Sequence, residues 1–419
     1  MMPFAPINTA KTQTWTILLS CCQDDNTSFT HLCDTDAPSL PWHALCDMAH
    51  QEGLAPLLFW RLRQEGALKN LHQSLTEPLS RKYYATGATA AFYASQLRDL
   101  LPRCQAVGLP VIILKGAALA ELYYPNPALR AMSDIDILVK SEDLDALNLI
   151  FSKIGYKTES QRPEGHRDKP ERYLTTRIYR RQDKEGLPFH VHTHLLNSTI
   201  PNDYFLDNFP IAPLWKAAQP VKIAGTKALV LDPRHQVLHL AEHSLRVTHS
   251  LTKLHYLYDI DQVVRNSEKK IDWQVLCREA EHWQMGSFLY YPLSLASEWI
   301  NTPVPLSALT RLQPEAGLLE RFFHTLLANN IRQPGLSYLL HLSRQPSFKR
   351  QLAFVARTAF PPRHILARRS GIPLDQVGAV VYLRRVLEIT STILTTIKGN
   401  SAATNYLNKT AWRLNDSQP

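Results

Sequence analysis

Two carboxylates, Asp134 and Asp136, stand two residues apart inside an apolar run that ends at Val139. In a β-strand, side chains at positions i and i+2 point to the same face. We therefore expect the two carboxylates to project together, while Ile135 and Ile137 face a core. Mg²⁺ prefers oxygen ligands and shares its coordination shell with substrate phosphates. The spacing predicts a strand that offers two carboxylates to a hard cation, unless the pair is simply an exposed strand edge.

A second feature, upstream of that strand, suits an anion. The apolar run 111–114 predicts a strand, which passes through Lys115 and Gly116 into a helix-like segment from Ala117 to Tyr123. Such a turn presents backbone N–H groups and a helix N-terminus to an anion. A phosphate-cradling turn beside a pair of cation-binding acids is the layout of a nucleotidyl-transfer site.

The stretch from Gly108 to Gly116 and the block from Arg130 to Val139 resemble the uncharacterised nucleotidyltransferase family of the DNA polymerase β-like superfamily. The resemblance implies a metal-dependent enzyme that transfers a nucleoside monophosphate from an NTP, such as ATP, to an acceptor hydroxyl. Asp134 and Asp136 would be its catalytic carboxylates and would hold Mg²⁺ or Mn²⁺. The acceptor is open between a protein, an RNA and a small molecule. One departure from the wider superfamily is that Ala117 offers no hydroxyl to a triphosphate.

The resemblance also implies a set of nucleotide-binding residues. Lys115 and the Gly116 amide would hold the triphosphate, the alternative being a surface lysine beside a turn glycine. Arg130 is either a phosphate clamp or a salt-bridge partner that holds the strand. Ser133, directly before the acid pair, completes the predicted nucleotide-binding set.

A third acid is missing from its expected place on a later strand. In the segment Phe-His-Val-His-Thr-His, His192 matches the family's histidine, so His190 occupies the acid's position. His190, His192 and His194 share one face by the period of two. Both His190 and His192 are candidate catalytic residues, although neutral imidazole suits Mn²⁺ or Zn²⁺ better than Mg²⁺. If His190 replaces the third acid, the chain uses a softer metal, recruits Asp183 or Glu185 as the third carboxylate, or is a catalytically degenerate nucleotide- or nucleic-acid-binding module. The alternative is that the histidines are half-buried residues that only form hydrogen bonds.

Another histidine set, His235, His239 and His243, follows one helical face at spacings of four residues. Two such histidines can bind zinc, but no Glu follows the first histidine to act as a base. Packing, or contact with the nucleotide pocket, is the favoured interpretation. Relatives carry a similar histidine helix followed by an acid that resembles Asp259.

The pattern of apolar residues predicts an α+β protein with a small mixed sheet flanked by helical regions. After the Asp-x-Asp strand, Ser141 is a candidate helix N-cap, and the helix ends near Gly155. The runs Tyr173–Arg181 and Leu187–Leu195 predict a β-hairpin, and helices are expected on one face of the sheet. Four parts follow: an N-terminal helical region 1–104, a nucleotidyltransferase core 105–215, a helical domain 216–330 and a basic helical region 331–419.

The charge of the chain is unevenly distributed. The net charge is +9, and from residue 331 onward thirteen Lys and Arg residues face three acids. A basic, aromatic-bearing region favours a nucleic-acid partner, whereas the alternative is a solvated helix face or a general attraction for acidic partners. Six scattered cysteines argue against a disulfide scaffold, and no signal peptide or spanning segment is apparent. A cytoplasmic protein without membrane contact is therefore expected.

Overall fold

The computed structural model describes residues 9–23, 29, 41–158, 175–183, 185–196, 208–246, 249–315, 317–370 and 372–398. Helices precede, interrupt and follow one seven-stranded mixed sheet. The α+β prediction, a mixed sheet between helical regions, is confirmed.

The strands lie in the middle of the chain. They are β1 (Ile112–Ile113), β2 (Ile135–Leu138), β3 (Tyr156–Thr158), β4 (Thr176–Arg181), β5 (Phe189–His192), β6 (Gln219–Ile223) and β7 (Thr226–Val230). The helices before and among them are α1 (Thr9–Cys22), α2 (Trp42–Gln51), α3 (Ala55–Gln64), α4 (Gln73–Ala106), α5 (Lys115–Leu122), α6 (Leu144–Lys153) and α7 (Ala212–Ala217).

The second half of the described chain is helical. Its helices are α8 (Pro233–Ser244), α9 (His255–Asn266), α10 (Trp273–His282), α11 (Gly286–Ile300), α12 (Leu306–Leu312), α13 (Leu318–Ala328), α14 (Ser337–Ser343), α15 (Phe348–Ala359), α16 (Arg363–Ser370) and α17 (Ala379–Lys398). Within the described residues, no helix is both long enough and apolar enough to cross a bilayer.

The strands have the order β3-β4-β5-β2-β1-β7-β6. β2 pairs with β5, and β1 with β7, in parallel, whereas the remaining neighbours are antiparallel. The β4–β5 hairpin is as predicted, although residues 173–174 of its first run lie outside the described residues. Strands β6 and β7 follow residue 215, where the sequence analysis ended the core, and were not foreseen. The four-part division of the chain stays a prediction.

Both faces of the sheet are covered. Ile113, Ile137 and Val191 pack in a cluster that includes residues of α4 and α6. On the opposite face, Ile112 and Leu138 join the large cluster formed by the flanking helices. The expectation of helices on one face is therefore wrong, because apolar side chains from these strands point to both faces.

Two element boundaries near the predicted site differ from expectation. The strand predicted over 111–114 is hydrogen-bonded as a strand only at Ile112–Ile113, and the helix begins at Lys115, two residues before Ala117. Lys115 and Gly116 thus form the first turn of α5 and not a separate loop. The helix predicted after Ser141 begins as a short 3₁₀ turn and continues as α6, and Gly155 follows it with φ +81°.

Candidate functional site

Lys115 is placed by an unusual backbone conformation. Its φ is +42°, in the left-handed region that residues other than glycine rarely adopt. The preceding Leu114 N–H donates to the Asp136 carbonyl at 2.9 Å, which fixes the end of β1 against β2. From this position the Lys115 Nζ lies 2.8 Å from Asp136 Oδ1, and both side chains are buried. A strained residue at the start of a helix is common at functional sites, where the surrounding structure holds it.

The acid pair and the two histidines face one another across the parallel β2–β5 pair. Asp136 is in register with His190, and the His192 Nε2 lies 2.7 Å from Asp136 Oδ1. The His190 Nδ1 lies 2.8 Å from Asp134 Oδ2 and 4.0 Å from Asp136 Oδ1. The predicted common direction of Asp134 and Asp136 is confirmed, and Ile135 faces the apolar cluster on the other side.

Opposing influences set the protonation states of this cluster. Burial alone would raise the pKa of Asp136, but the Lys115 charge and the His192 hydrogen bond together hold it well below its usual value. Burial, helped by the charge of Lys115, lowers the pKa of His192 to about 4 against the opposing effect of Asp136. His192 is therefore neutral at pH 7, so its Nε2 carries the proton that it donates to Asp136.

The donor set fits a cation only after rearrangement. Asp136, His190 and His192 each offer one ligand atom, and these three atoms lie within 4.8 Å of one another. The Asp134 carboxylate is paired with the His190 ring at 2.8 Å. The same Asp136 oxygen already accepts from Lys115 and His192. Ligation by the His192 Nε2 would move its proton to Nδ1, which has no hydrogen-bond partner in the described structure. Asp136, Asp134 and His190 are thus the better ligands, and a cation would displace the Lys115 ammonium.

These groups open into a cavity of about 590 Å³. Gly116, Arg130 and Ser133 also line it, so the cavity brings together every site residue predicted from the sequence. A Cβ on Gly116 would lie 3.2 Å from the Cβ of Met132, so a larger residue would push on this wall. Exposed Ser133 donates to Asp134 at 3.3 Å. The helix N-terminus, the lysine and the carboxylates therefore share one space, as a phosphate-binding site requires.

Arg130 is held from behind the cavity wall. Its Nε and Nη2 donate to the two Asp259 carboxylate oxygens at 2.7 and 2.8 Å, and the Tyr124 hydroxyl donates to the same acid at 2.6 Å. Burial alone would lower the pKa of Arg130, but Asp259 outweighs it and raises the pKa. The sequence left Arg130 open between a phosphate clamp and a salt-bridge partner, and the structure shows a salt bridge to Asp259. A contact with phosphate stays a prediction.

The comparisons with known proteins identify the family of the chain. The model of a family described as uncharacterised nucleotidyltransferase matches residues 38–301, more than half of the chain. The chain belongs to this family. A solved structure of an antigenic nucleotidyltransferase-like protein from Paracoccidioides brasiliensis matches with a TM-score of 0.31 and 15% identity, over 55% of this chain and 92% of that one. No curated protein matches.

The cavity of this family member also contains residues that no sequence pattern indicated. Beyond the predicted lysine and arginine, its cationic lining residues are Lys82, Arg246 and Lys253. Arg246 is buried and paired with Glu242 at 2.9 Å, and it also donates to the Leu195 carbonyl at 2.5 Å. Because these residues come from α4, the turn after α8 and the turn before α9, no local spacing signals their convergence.

The histidine helix α8 contributes one cavity residue, His243, rather than a zinc site. His235 Nδ1 lies 2.5 Å from the Asp232 carboxylate and its ring stacks on Trp283, so it supports the start of the helix. His239 lies buried behind the cavity, and burial lowers the pKa of both His239 and His243 well below the usual value. The favoured interpretation, packing and pocket contact, is confirmed for this family member.

Three further residues weighed from the sequence lie away from the cavity. His194 follows β5, where it accepts from the Leu196 N–H and bonds the Phe209 carbonyl at 3.0 Å, so it does not share the site with His190. Asp183 pairs with Arg181 and accepts from the Glu185 N–H in the hairpin turn. Neither acid lines the cavity, so among described residues its carboxylates are Asp134 and Asp136.

Proposed function

We propose that the protein is a metal-dependent nucleotidyltransferase of the DNA polymerase β-like superfamily that transfers an NMP from an NTP to an acceptor hydroxyl. One observation carries the proposal: Lys115, in the first turn of α5, lies 2.8 Å from Asp136 inside a cavity that Asp134 and His190 also line. The family match supports the reaction class. The proposed acceptor is a protein, an RNA or a small molecule.

The charges of the cavity support an NTP as the donor. Its lining has five cationic side chains and two carboxylates. Two of those cations, Arg130 and Arg246, are already paired with Asp259 and Glu242. Lys82, Lys253 and the amides of the first turn of α5 are therefore the groups that would first meet a triphosphate, and Lys115 joins them only when it leaves its own partner, Asp136. In the proposed complex, Lys115 leaves Asp136 for a phosphate oxygen.

The proposed transfer step uses the acidic cluster and the lysine. The acceptor oxygen forms a bond to the α-phosphorus, the bond from that phosphorus to the β-phosphate bridging oxygen breaks, and pyrophosphate leaves. Asp134, Asp136 and His190 would hold Mg²⁺ or Mn²⁺, which when bound neutralises phosphate charge. The hydroxyl proton would pass to the second carboxylate oxygen of Asp134, the more exposed of the two acids. Positioning and charge stabilisation provide most of the rate, as in other phosphoryl transfers.

A second candidate function, a nucleotide-binding module without turnover, is favoured by a specific observation. Lys115 and His192 both bond the one Asp136 oxygen that a cation would use, and a histidine replaces the third acid. In this case the cavity binds an NTP through its lysines and holds no metal. Binding without transfer distinguishes it from the first proposal.

The decisive experiment incubates the full chain with each labelled NTP and Mg²⁺ or Mn²⁺, in the presence of cell protein, RNA and small-molecule extracts. We expect label transfer that needs the metal, with Mn²⁺ favoured because imidazole suits softer ions. A matched control is the variant Asp134→Asn with Asp136→Asn. NTP binding with no transfer under any metal would establish the second candidate and reject the first.

A variant of the replaced acid sharpens the test. His190→Asp should create an all-oxygen cluster, so transfer supported by Mg²⁺ should rise relative to transfer supported by Mn²⁺. His190→Ala should lower both. An unchanged metal ratio together with a lowered melting temperature would show that His190 is a hydrogen-bonding residue and not part of the cation site.

A further inference from the structure

Helix α15 exposes an apolar stripe to solvent. Phe348 and Leu352 are 79% and 62% exposed, and Val355, one turn further, is also exposed. These positions recur at spacings of four and three residues, so they share one side of the helix. The side that packs against the protein contains Phe354, which contacts Tyr338 and Leu342 in a small cluster separate from the main core. The helix is therefore amphipathic, but its longer apolar stripe is the uncovered one.

Helix α17 repeats this arrangement. Val380, Leu383 and Leu387 are each at least 60% exposed and follow one another at helical spacing. On the packed side, the Arg385 Nε donates to the Thr358 carbonyl at 2.9 Å, at the end of α15. The two helices are thus joined, and together they present six exposed apolar side chains.

The same part of the chain is strongly basic. Between residues 337 and 398 the sequence has ten Lys and Arg residues and two acids. Lys349, Arg350 and Arg357 lie on α15, which has no acid of its own. All of this chain lies beyond residue 301, where the family match ends. The surface therefore lies outside the region that matches the family, and it combines cations with uncovered apolar groups.

We propose that α15 and α17 form a surface that binds anionic lipid membranes peripherally. An interfacial helix inserts its apolar side between lipid headgroups while its basic residues meet anionic phosphates. The absence of a spanning helix in the described chain agrees with attachment from one side. This proposal departs from the expectation of no membrane contact. This inference is independent of the proposed transferase activity, since it uses no residue of the cavity.

Two other occupants fit the surface less well. RNA binds through aromatic stacking platforms and phosphate contacts, but five of the six exposed apolar side chains are Leu or Val and have no π-face. A second copy of the chain would bring one basic surface against another, with Asp375 and Glu388 as the acids between residues 337 and 398. An anionic bilayer complements both the charge and the apolar stripes.

The test is co-sedimentation of the full chain with vesicles. Vesicles of phosphatidylcholine with about one-third phosphatidylglycerol should bind the protein, and pure phosphatidylcholine should bind it at least about fivefold less. Binding should weaken as salt is raised through physiological strength, because exposed charges are screened.

Matched variants separate the stripes from general hydrophobicity. Phe348→Glu with Leu352→Glu should reduce binding to the anionic vesicles by at least about tenfold. The control is Leu149→Glu with Leu306→Glu, because these side chains, 67% and 78% exposed, lie on α6 and α12. The control should bind like the unaltered chain. All four residues are exposed, so both variants should fold, which circular dichroism checks.

Four results would overturn the proposal. Equal binding to neutral and anionic vesicles would remove the charge argument, and unchanged binding by Phe348→Glu with Leu352→Glu would remove the stripe. Tight binding of a labelled RNA that survives the stripe variant, without vesicle binding, would assign the surface to nucleic acid. A concentration-dependent dimer that the same variant disrupts, again without vesicle binding, would assign it to a second copy.

Discussion

Charged side chains in the cavity and on helices α15 and α17 are in opposite environments. Lys115 is 7% exposed and bonded to buried Asp136, whereas Arg384 on α17 is 81% exposed beside Glu388. Charges attract several times more strongly in a protein interior than in water, but an unpaired buried charge is also far more costly. The comparison teaches that the proposed nucleotide site depends on the position of each charge, whereas the proposed membrane contact of the basic helices depends on their total charge.

The largest effect is expected for the cavity carboxylates. Asp134→Asn with Asp136→Asn should lower the proposed nucleotide transfer by at least about 1000-fold, because both oxygen ligands lose their charge. Label transfer from NTP measures this. Since Asp136→Asn leaves Lys115 buried without its acid, the triple variant with Lys115→Met should regain melting temperature but no activity. Retained activity in the double variant would show that the cavity does not depend on these individual charges, so it would not differ in this respect from the basic helices.

The next effect concerns the pair behind the cavity wall. Asp259→Ala should destabilise the protein by about 3–5 kcal/mol, because it leaves the Arg130 guanidinium buried without its partner. Urea unfolding measures the loss. Arg130→Met with Asp259→Leu is the matched control and should restore most of the stability, because no isolated charge remains. A cost below about 1 kcal/mol, the value of an exposed pair, would contradict the distinction.

A smaller effect, on the pH dependence of stability, tests whether helix α14 at the start of the basic region is as well buried as the core. His341 on α14 is buried beside Phe288, and burial lowers its pKa to about 4. In the unfolded chain, His341 takes up a proton near pH 6.5, whereas in the folded protein it stays neutral until the pH is close to 4. The stability that neutral His341 contributes is therefore fully present above pH 6.5 and is lost as the pH falls toward 4. This loss is at most about 3 kcal/mol.

The measurement is the pH dependence of the free energy of unfolding between about pH 7 and 4. His341→Leu should flatten this dependence, and His43→Leu, at an exposed position, is the matched control. An equal slope in wild type and His341→Leu would show that α14 opens to solvent, as the exposed helices that follow it do.

The smallest effect is expected on α17. Arg384→Ala should change the free energy of unfolding by less than about 0.5 kcal/mol, because its pair with Glu388 is screened and exposed. Thermal melting in low and high salt measures it, with Glu388→Ala as the companion variant. A loss of stability comparable to that of Asp259→Ala would mean that individual ion pairs stabilise this helix, as they do around the cavity.

The sequence by itself determined the features that depend on near neighbours. The period of two placed Asp134 and Asp136 on one face, and the turn residues before Leu187 predicted the hairpin. The excess of cations after residue 331 is a property of composition alone. These predictions held because strand alternation and turn geometry depend on residues only a few positions apart.

Only the tertiary structure decided which of these features meet. Arg130 and Asp259 are 129 residues apart, and the parallel pairing of β1 with β7 joins segments separated by more than a hundred residues. No local pattern specifies such contacts, because they arise when whole elements pack. For the same reason the periodicity of α15 predicts an apolar side, but only packing shows that Phe354 is covered while Phe348 remains exposed.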